Sequence, residues 1–247
     1  RPIGIERHTL LSDQRSIALL DEAGTIDWMC MPRLDSPPIC GALMGRRSLA
    51  TPGESLSAGY FTIAPAEPDG LPRQTYVGDS MVAQTHWRSM TVTDYLDCSN
   101  GRPYQRAGSS ELVRVIEGRG RVRVEFAPRF DFGRTVTTIA ANPDGLVIEG
   151  HLDPVTLYAR GIDWTIEADG PHSKAIAEFE LPRRSAVVME LRYGSANLRP
   201  SMLSEPQRRA QAIKFWSAWA SSLRLPSVEP EAVRRSALTI KALAYGP

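Results

Sequence analysis

Pairs of carboxylates are the side chains in this sequence that could do acid–base chemistry. Asp27 with Asp35, and Asp94 with Asp97, could each supply one proton donor and one proton acceptor. Asp35, however, begins an Asp-Ser-Pro sequence typical of an Asx turn, and Asp94 and Asp97 lie near the end of a predicted strand. We therefore interpret these carboxylates as structural and predict no catalytic residue within the chain.

The segment from Asp27 to Pro37 is the strongest candidate for binding. It combines Trp28, Arg33 and Asp35, which offer an aromatic face, a planar fork of donors and an acceptor, a set suited to sugars. The alternative is structural: Arg33 and Asp35 lock a turn, and Trp28 lies in the core.

A second turn contains Arg129 and Asp131, and it is interpreted either as part of a domain interface or as a structural turn.

The four histidines are scattered, and no two have the i, i+4 spacing of a helical metal pair. No Gly-x-Ser-x-Gly sequence signals a serine nucleophile. The sequence therefore predicts neither a metal site nor a cofactor.

Composition and charge narrow the classes of function. The chain has 247 residues, of which 42% are hydrophobic and 23% charged, as in ordinary globular proteins. With a net charge of +1, the protein has no strong overall electrostatic attraction to nucleic acid or to an anionic membrane. No apolar run approaches the roughly 20 residues that span a bilayer. The first residues show no signal-peptide pattern. Three cysteines, an odd and sparse set, favour a reducing cytoplasm over a disulfide framework.

Short β-like runs separated by turn residues dominate residues 16–193 and must position these candidates. The clearest run, residues 121–126, alternates strictly, so that its three apolar residues share one buried face. We predict that it pairs with residues 111–116 across the turn at 117–120. The many closely spaced strands predict an antiparallel sandwich or barrel.

The pattern becomes helical near Ser204, where Ser204 and Gln207 have the spacing of a capping box. The apolar residues that follow share one helical face: Ala212, Phe215, Trp216, Trp219, Ala220 and Leu223. We interpret this face as packing, with a carbohydrate platform as the alternative.

A second helix is predicted to begin near Pro230 and to stop at Gly246-Pro247. Four apolar residues fall on one of its faces: Val233, Ala237, Ile240 and Ala244. No later element covers that face, and amphipathic helices take most of their stability from tertiary packing. The expectation is a truncated chain.

Three segments resemble the N-terminal part of glycoside hydrolase family 15. The first comprises residues 12–20 and 24–37, with Ile-Asp-Trp, a Cys and Pro-Arg-Leu-Asp-Ser-Pro in order. Leu34 departs from the family's aromatic residue at that position. Residues 127–134 resemble the family's Pro-Arg-Phe-Asp-Tyr-Gly turn, and residues 235–243 are similar to the opening helix of its catalytic (α/α)6 barrel.

The resemblance implies a mainly β fold, an antiparallel β-supersandwich like that of galactose mutarotase, followed by two C-terminal helices. It divides the chain into a sandwich domain at 1–200, a linker helix at 201–226 and the first helix of a truncated barrel at 227–247. Enzymes of this family, trehalase-like or glucoamylase-like, invert the anomeric centre of α-glucosides with two carboxylates. Both belong to the barrel, downstream of Pro247, so no catalytic residue is carried over.

Two classes of function follow from these observations. In the first, the chain is a non-catalytic domain that supports the missing barrel of the same polypeptide and shapes the mouth of its α-glucoside pocket. The residues assigned to that mouth, or to the domain interface, are Asp27, Trp28, Arg33, Asp35, Arg129 and Asp131. The alternative is a stand-alone carbohydrate-binding or subunit-assembly sandwich, which includes a homo-oligomer. Neither class has nucleic acid or a membrane as a partner.

Overall fold

The computed structural model describes residues 4–45, 58–98, 108–183 and 185–244, which form many strands followed by two helices. The predicted stop of the last helix at Gly246 lies outside these residues. The strands in chain order are β1 (Thr9–Ser12), β2 (Ile17–Leu20), β3 (Ile26–Cys30), β4 (Pro38–Cys40), β5 (Tyr60–Pro65), β6 (Arg73–Tyr76), β7 (Ala83–His86), β8 (Met90–Leu96), β9 (Ser110–Gly118), β10 (Arg121–Ala127), β11 (Thr138–Asn142), β12 (Gly145–Glu149), β13 (Val155–Tyr158), β14 (Thr165–Asp169), β15 (His172–Glu180) and β16 (Val187–Tyr193).

These strands form two antiparallel sheets that pack face to face. Sheet A has the order β1-β2-β3-β5-β10-β15-β14, with β4 added on β3. Sheet B has the order β11-β12-β13-β16-β9-β8-β7-β6. The buried faces of both sheets contribute to one continuous apolar core, as expected of a sandwich. The predicted mainly β fold, an antiparallel sandwich followed by two C-terminal helices, is confirmed.

The alternating run of β10 behaves as its pattern predicts. Val122, Val124 and Phe126 are fully buried, and the rings of Phe126 and Phe61 lie 4.9 Å apart between centroids. The hairpin between β2 and β3 is also confirmed, because Oδ1 of Asp21 accepts from the backbone N–H groups of Ala23 and Thr25 at 2.9 Å. Local turn chemistry therefore decides this connection.

β9 and β10 do not pair, so the predicted hairpin between them is wrong. β9 lies between β16 and β8 in sheet B, whereas β10 lies between β5 and β15 in sheet A. The connection has φ of 139° at Gly118 and 91° at Gly120, and a Cβ at Gly118 would lie 2.4 Å from the carbonyl oxygen of Ser89. Crossing to the opposite sheet lets the apolar faces of both strands meet in the core, which a flat hairpin does not allow.

The first helix packs on the outer face of sheet B, and the second helix lies beside it. Helix α1 (Glu205–Ala220) begins at the predicted capping box, in which the backbone N–H of Ser204 donates to Oε1 of Gln207 at 3.2 Å. Its buried residues recur at helical spacing: Glu205, Arg208, Ala212, Trp216 and Ala220. Trp216 is 1% exposed and packs with residues of β8 and β9, which supports packing rather than a carbohydrate platform.

Helix α2 (Pro230–Leu243) contacts β1 and α1 with a different face from the predicted one. Leu238 and Ala242 are fully buried, whereas Val233 and Ile240 are 40% and 71% exposed. The sequence pattern identified an apolar stripe correctly, but the contact with the sandwich uses the neighbouring stripe. The predicted stripe therefore remains on the surface.

Candidate functional site

The structure brings two motifs that lie about a hundred residues apart onto one surface. The ring centroids of Trp28 and Phe132 are 6.1 Å apart, and the backbone N–H of Arg129 donates to the carbonyl oxygen of Ile39 at 2.8 Å. The segment at 27–37 and the turn at 129–134 are therefore neighbours. We define the aromatic patch as Trp28 and Phe132 with two flanking ion pairs, Arg33–Asp35 and Asp131–Arg134.

The first ion pair of the aromatic patch closes the loop after β3. Nε and Nη2 of Arg33 donate to the two carboxylate oxygens of Asp35 at 2.8 and 3.1 Å, and the backbone N–H of Arg33 donates to Oγ of Ser36 at 3.2 Å. Both charged side chains are more than half exposed. The hydrogen bonds from Arg33 lower the pKa of Asp35. The pair thus combines a turn lock with an accessible charged surface.

The aromatic members of the patch face outward rather than into the core. Trp28 is half-buried, and Phe132 is 49% exposed. Asp131 and Phe132 have φ of 50° and 58°, a left-handed conformation that non-glycine residues seldom adopt. The guanidinium of Arg134 lies 5.6 Å from the centroid of the Phe132 ring. The sequence analysis did not include Phe132 among the candidate residues. Its ring is exposed on the surface in a turn with this left-handed backbone conformation.

Two of the predicted site residues lie inside the molecule. The carboxylate of Asp27 is 2% exposed and lies 3.0 Å from Nε2 of His8. The side chain of Arg129 is fully buried, where it pairs with Asp169 and donates to the carbonyl oxygen of Ser173 at 2.9 Å. Burial lowers the pKa of Arg129, and Asp169 opposes that shift. Both residues support the surface turns from beneath.

The carboxylates Asp94 and Asp97 occupy separate environments. Nε of Arg114 donates to Oδ1 of Asp94 at 2.7 Å, and both side chains are 1% exposed in the core between the sheets. The same guanidinium donates to the carbonyl oxygen of Phe61 on β5 and to that of Gly24 in the turn between β2 and β3, so it joins the two sheets. Asp97 instead contacts Arg208 of α1 at 3.2 Å. The arrangement does not provide an open carboxylate pair.

The first motif has a structural role that sequence reasoning missed. We call Ser12–Ser16 the polar turn. Oγ of Ser12 donates to the carbonyl oxygen of Ala242 at 2.7 Å, and Nε2 of Gln14 donates to that of Lys241 at 3.1 Å. These carbonyls lie in the last turn of α2, where an α-helix runs out of its own N–H donors, and that of Lys241 also accepts from the backbone N–H of Ala244 at 3.2 Å. The polar turn therefore fixes the end of α2, and the φ of 68° at Gln14 is a local signal of that function.

Within residues 4–45, 58–98, 108–183 and 185–244, no three His, Cys, Asp or Glu side chains form a group that could hold a metal ion. No helix in that part of the chain has the length and apolar character needed to cross a membrane. The three cysteines, Cys30, Cys40 and Cys98, are buried and free.

Comparison with known proteins assigns this β-sandwich domain to a family. The family described as "Trehalase-like, N-terminal" matches residues 1–216, so the chain belongs to the trehalase-like N-terminal domain family. Curated relatives include the trehalase of Mycobacterium tuberculosis, which is 22% identical over 98% of this chain. A trehalase of Thermoplasma acidophilum is 23% identical over 91% of the chain, and trehalase 2 of Sulfolobus acidocaldarius is 24% identical over 97%. The chain spans 37–38% of the length of these relatives.

Proposed function

We propose that this chain is the non-catalytic N-terminal domain of an inverting α-glucoside hydrolase of the trehalase type, in glycoside hydrolase family 15. Its role is to support a catalytic helical barrel in the same polypeptide and to form part of the pocket mouth with the aromatic patch. The observation that carries this proposal is the family match over residues 1–216, together with trehalases that extend far beyond the aligned region.

The chemistry of inversion needs one carboxylic acid on the leaving oxygen and one carboxylate that activates water, roughly 6.5–9.5 Å apart. We assign both groups to the barrel rather than to this domain. The buried Asp94 is paired with Arg114, and the exposed Asp35 is bound by Arg33, so each carboxylate already has an arginine partner. The aromatic patch contributes stacking faces and hydrogen-bonding groups, which suit a sugar ring at the entrance.

The surface of α2 supports the proposed barrel as the partner. Its inner side is fixed, since Arg235 donates to the carbonyl oxygens of Ser80 and Gly78 at 2.8 and 2.9 Å. Its outer side exposes Val233, Ile240 and Leu243 by 40%, 71% and 50%. We propose that the following helices of the barrel cover this face. A homo-oligomer is the competing occupant, and light scattering on the 247-residue chain distinguishes it by mass.

The experiment that tests the domain role compares glucose release from trehalose and from maltose by two proteins. One is the 247-residue chain, and the other is the longest form of the polypeptide. We expect release by the longer form alone, with the preferred sugar naming the substrate. Hydrolysis by the short chain would place a carboxylate pair within these residues and refute the proposal. Sugar binding by the short chain, with no hydrolysis by either form, would favour a stand-alone binding module.

The mouth role is tested separately in the longer form. Trp28→Ala and Phe132→Ala are expected to raise KM for the preferred sugar about tenfold, equivalent to roughly 1.4 kcal/mol of lost binding. The melting temperature should stay within about 2 °C of the parent, because both rings are partly exposed. Leu152→Ala, at a residue 98% exposed outside the patch, is the control. Unchanged KM in both patch variants would remove the patch from the pocket.

The three free cysteines also support a cytoplasmic location, since exposure to an oxidising compartment selects for disulfides. Fractionation of cells that produce the protein tests this placement.

A further inference from the structure

Arg15 of the polar turn carries a guanidinium that the described part of the chain does not bind. Its backbone N–H donates to Oδ1 of Asp13 at 2.8 Å, but no carboxylate or other acceptor within residues 4–45, 58–98, 108–183 and 185–244 binds its side chain. Nε of Arg15 is nevertheless buried, and so is Oγ of the neighbouring Ser16, which has no hydrogen-bond partner in those residues either. Native structures leave few buried polar atoms unpaired, so two adjacent ones indicate a partner outside the described residues.

The chemistry of Arg15 specifies the kind of partner. A guanidinium is a planar fork of donors that fits the two oxygens of a carboxylate, and its charge is costly to bury without one. The four arginines that lie fully inside this molecule all follow that rule. Their pairs are Arg114 with Asp94, Arg129 with Asp169, Arg192 with Glu190, and Arg208 with Glu111. We therefore expect a carboxylate on Arg15 as well.

The polar turn holds the backbone of Arg15 in one place. Oδ1 of Asp13 accepts from the N–H groups of Arg15 and Ser16 at 2.8 and 2.6 Å, and Oδ2 of Asp13 accepts from Oγ of Ser110 on β9 at 3.2 Å. Because these bonds fix the turn in advance, a partner of Arg15 loses little free energy to ordering of the backbone.

The end of α2 lies beside this turn. Nε2 of Gln14 donates to the carbonyl oxygen of Lys241 at 3.1 Å, and Ala244 ends the helix with an extended backbone, at φ −76° and ψ 110°. The other side of the turn leads into β2, where Ile17 lies opposite Cys30, the last residue of β3. The polar turn, the end of α2 and the loop that contains Arg33 therefore meet at one end of sheet A.

We propose that Arg15 is a docking residue, whose guanidinium binds a carboxylate of the polypeptide that follows α2 and so fastens the polar turn to the catalytic barrel. The proposal rests on the proposed function in taking a barrel to follow α2. It assigns Arg15 to the attachment of the two domains, whereas Trp28 and Phe132 are assigned to the sugar. The fork of Arg15 and the fixed turn beneath it are the features that make this one side chain suited to the attachment.

Hydrogen exchange of two forms of the protein tests the docking role. One is the 247-residue chain, and the other is the longest form of the polypeptide. Arg15→Ala should lower the protection factors of the polar-turn amides about tenfold in the longer form, as for the loss of a charge-assisted hydrogen bond, and less than about twofold in the short chain. Arg15→Lys keeps the charge but not the fork, so it should lose about threefold in the longer form. Arg183→Ala, at an exposed arginine between β15 and β16, is the matched control and should change neither form.

Three outcomes would overturn the proposal. Equal losses of protection in both forms would place the role of Arg15 inside the sandwich, and no loss in either form would show that it has no partner. A higher KM of Arg15→Ala, with protection unchanged in the longer form, would assign the guanidinium to the sugar. Arg15→Lys provides the same comparison if Arg15→Ala does not fold.

Glucose release from trehalose and maltose by the longer form separates this proposal from the proposed function. If the parent hydrolyses either sugar and Arg15→Ala has no effect that depends on chain length, the docking role alone is refuted. If the effect depends on chain length but the parent hydrolyses neither sugar, the hydrolase role alone is refuted.

Discussion

The two helices share one apolar cluster, in which α1 packs on sheet B and α2 packs against β1 of sheet A, but they are attached by different chemistry. Helix α1 depends on buried ion pairs, in which Arg208 contacts three carboxylates. Helix α2 depends on the fully buried Leu238, on Ser12, which donates to the carbonyl of Ala242, and on Arg235, whose partners are backbone carbonyls rather than carboxylates. The stability that buried ion pairs contribute changes with protonation and with the loss of either partner. The stability that apolar contacts contribute changes with the volume of the buried side chains. Neighbouring elements of one surface can therefore differ in what destabilises them.

The largest effect is expected at Arg208, the guanidinium on which three carboxylates converge under α1. Arg208→Ala leaves Asp97, Glu111 and Glu190 without their shared guanidinium, and should reduce the free energy of unfolding by about 3–5 kcal/mol. Urea unfolding followed by circular dichroism measures the change. Arg209→Ala is the control on the same helix, where the partly exposed ion pairs should contribute less than about 1 kcal/mol. Equal losses in the two variants would remove the distinction between buried and surface charge.

The next effect is expected in the apolar contact of α2. Leu238→Ala should cost about 2–4 kcal/mol, because it leaves a cavity between helix and strand. This loss should be the same at pH 5.5 and pH 8.5, because the contact that Leu238 makes is apolar. Ile240→Ala, at a residue 71% exposed, should change the free energy of unfolding by less than about 1 kcal/mol. A loss from Leu238→Ala that varies with pH would show that the two attachments are coupled.

A smaller effect is expected at the polar turn. Oγ of Ser12 donates to Ala242 and accepts from the N–H of Gln14, so Ser12→Ala removes two hydrogen bonds at a buried position. The expected loss is about 1–2 kcal/mol in a thermal or urea unfolding experiment. Ser236→Ala is the matched control, because its hydroxyl bonds within the exposed face of α2. If the two substitutions had equal effects, the polar turn would have no special role in fixing the helix end.

The smallest effect on stability is expected at the aromatic patch. Arg33 and Asp35 are both more than half exposed, and such pairs usually contribute little. Arg33→Ala should therefore leave the free energy of unfolding within about 0.5 kcal/mol of the parent, as measured by urea unfolding. A loss above about 2 kcal/mol would show that the turn lock is essential to the fold.

The sequence was sufficient to assign the buried faces of strands and the short hairpin of β2 with β3, but not the partners of β9 and β10. Strict alternation placed Val122 and Val124 of β10 in the core, where both are fully buried. A strand shows the same alternation of apolar and polar residues in a hairpin and in a crossing between sheets. The pattern therefore did not show which of these connections joins β9 to β10. Glycines with positive φ at positions 118 and 120 mark the crossing, and they also occur in ordinary tight turns.

Buried arginines account for much of what the sequence could not predict. Arg114, Arg129 and Arg208 have side chains no more than 4% exposed, although arginine is ordinarily a surface residue. Each is stabilised by carboxylates or carbonyls that only the folded chain brings close. The candidate site could likewise be predicted only in part. The sequence identified both motifs, but the contact between Trp28 and Phe132 depends on the packing of β3 and β4 against the turn at 130–133.

The crossing between β9 and β10 has a consequence for how the chain folds during synthesis. Glu111 of β9 lies opposite Arg192 of β16, and Arg121 of β10 lies opposite Glu180 of β15. The central strands of both sheets thus pair with strands that are synthesised much later. Pairing between residues so far apart in sequence means a high contact order, which is typical of proteins that fold in milliseconds to seconds. Until β15 and β16 leave the ribosome, β9 and β10 each expose an open edge that invites pairing with other chains. The nascent sandwich therefore remains prone to aggregation until β15 and β16 have paired with β10 and β9.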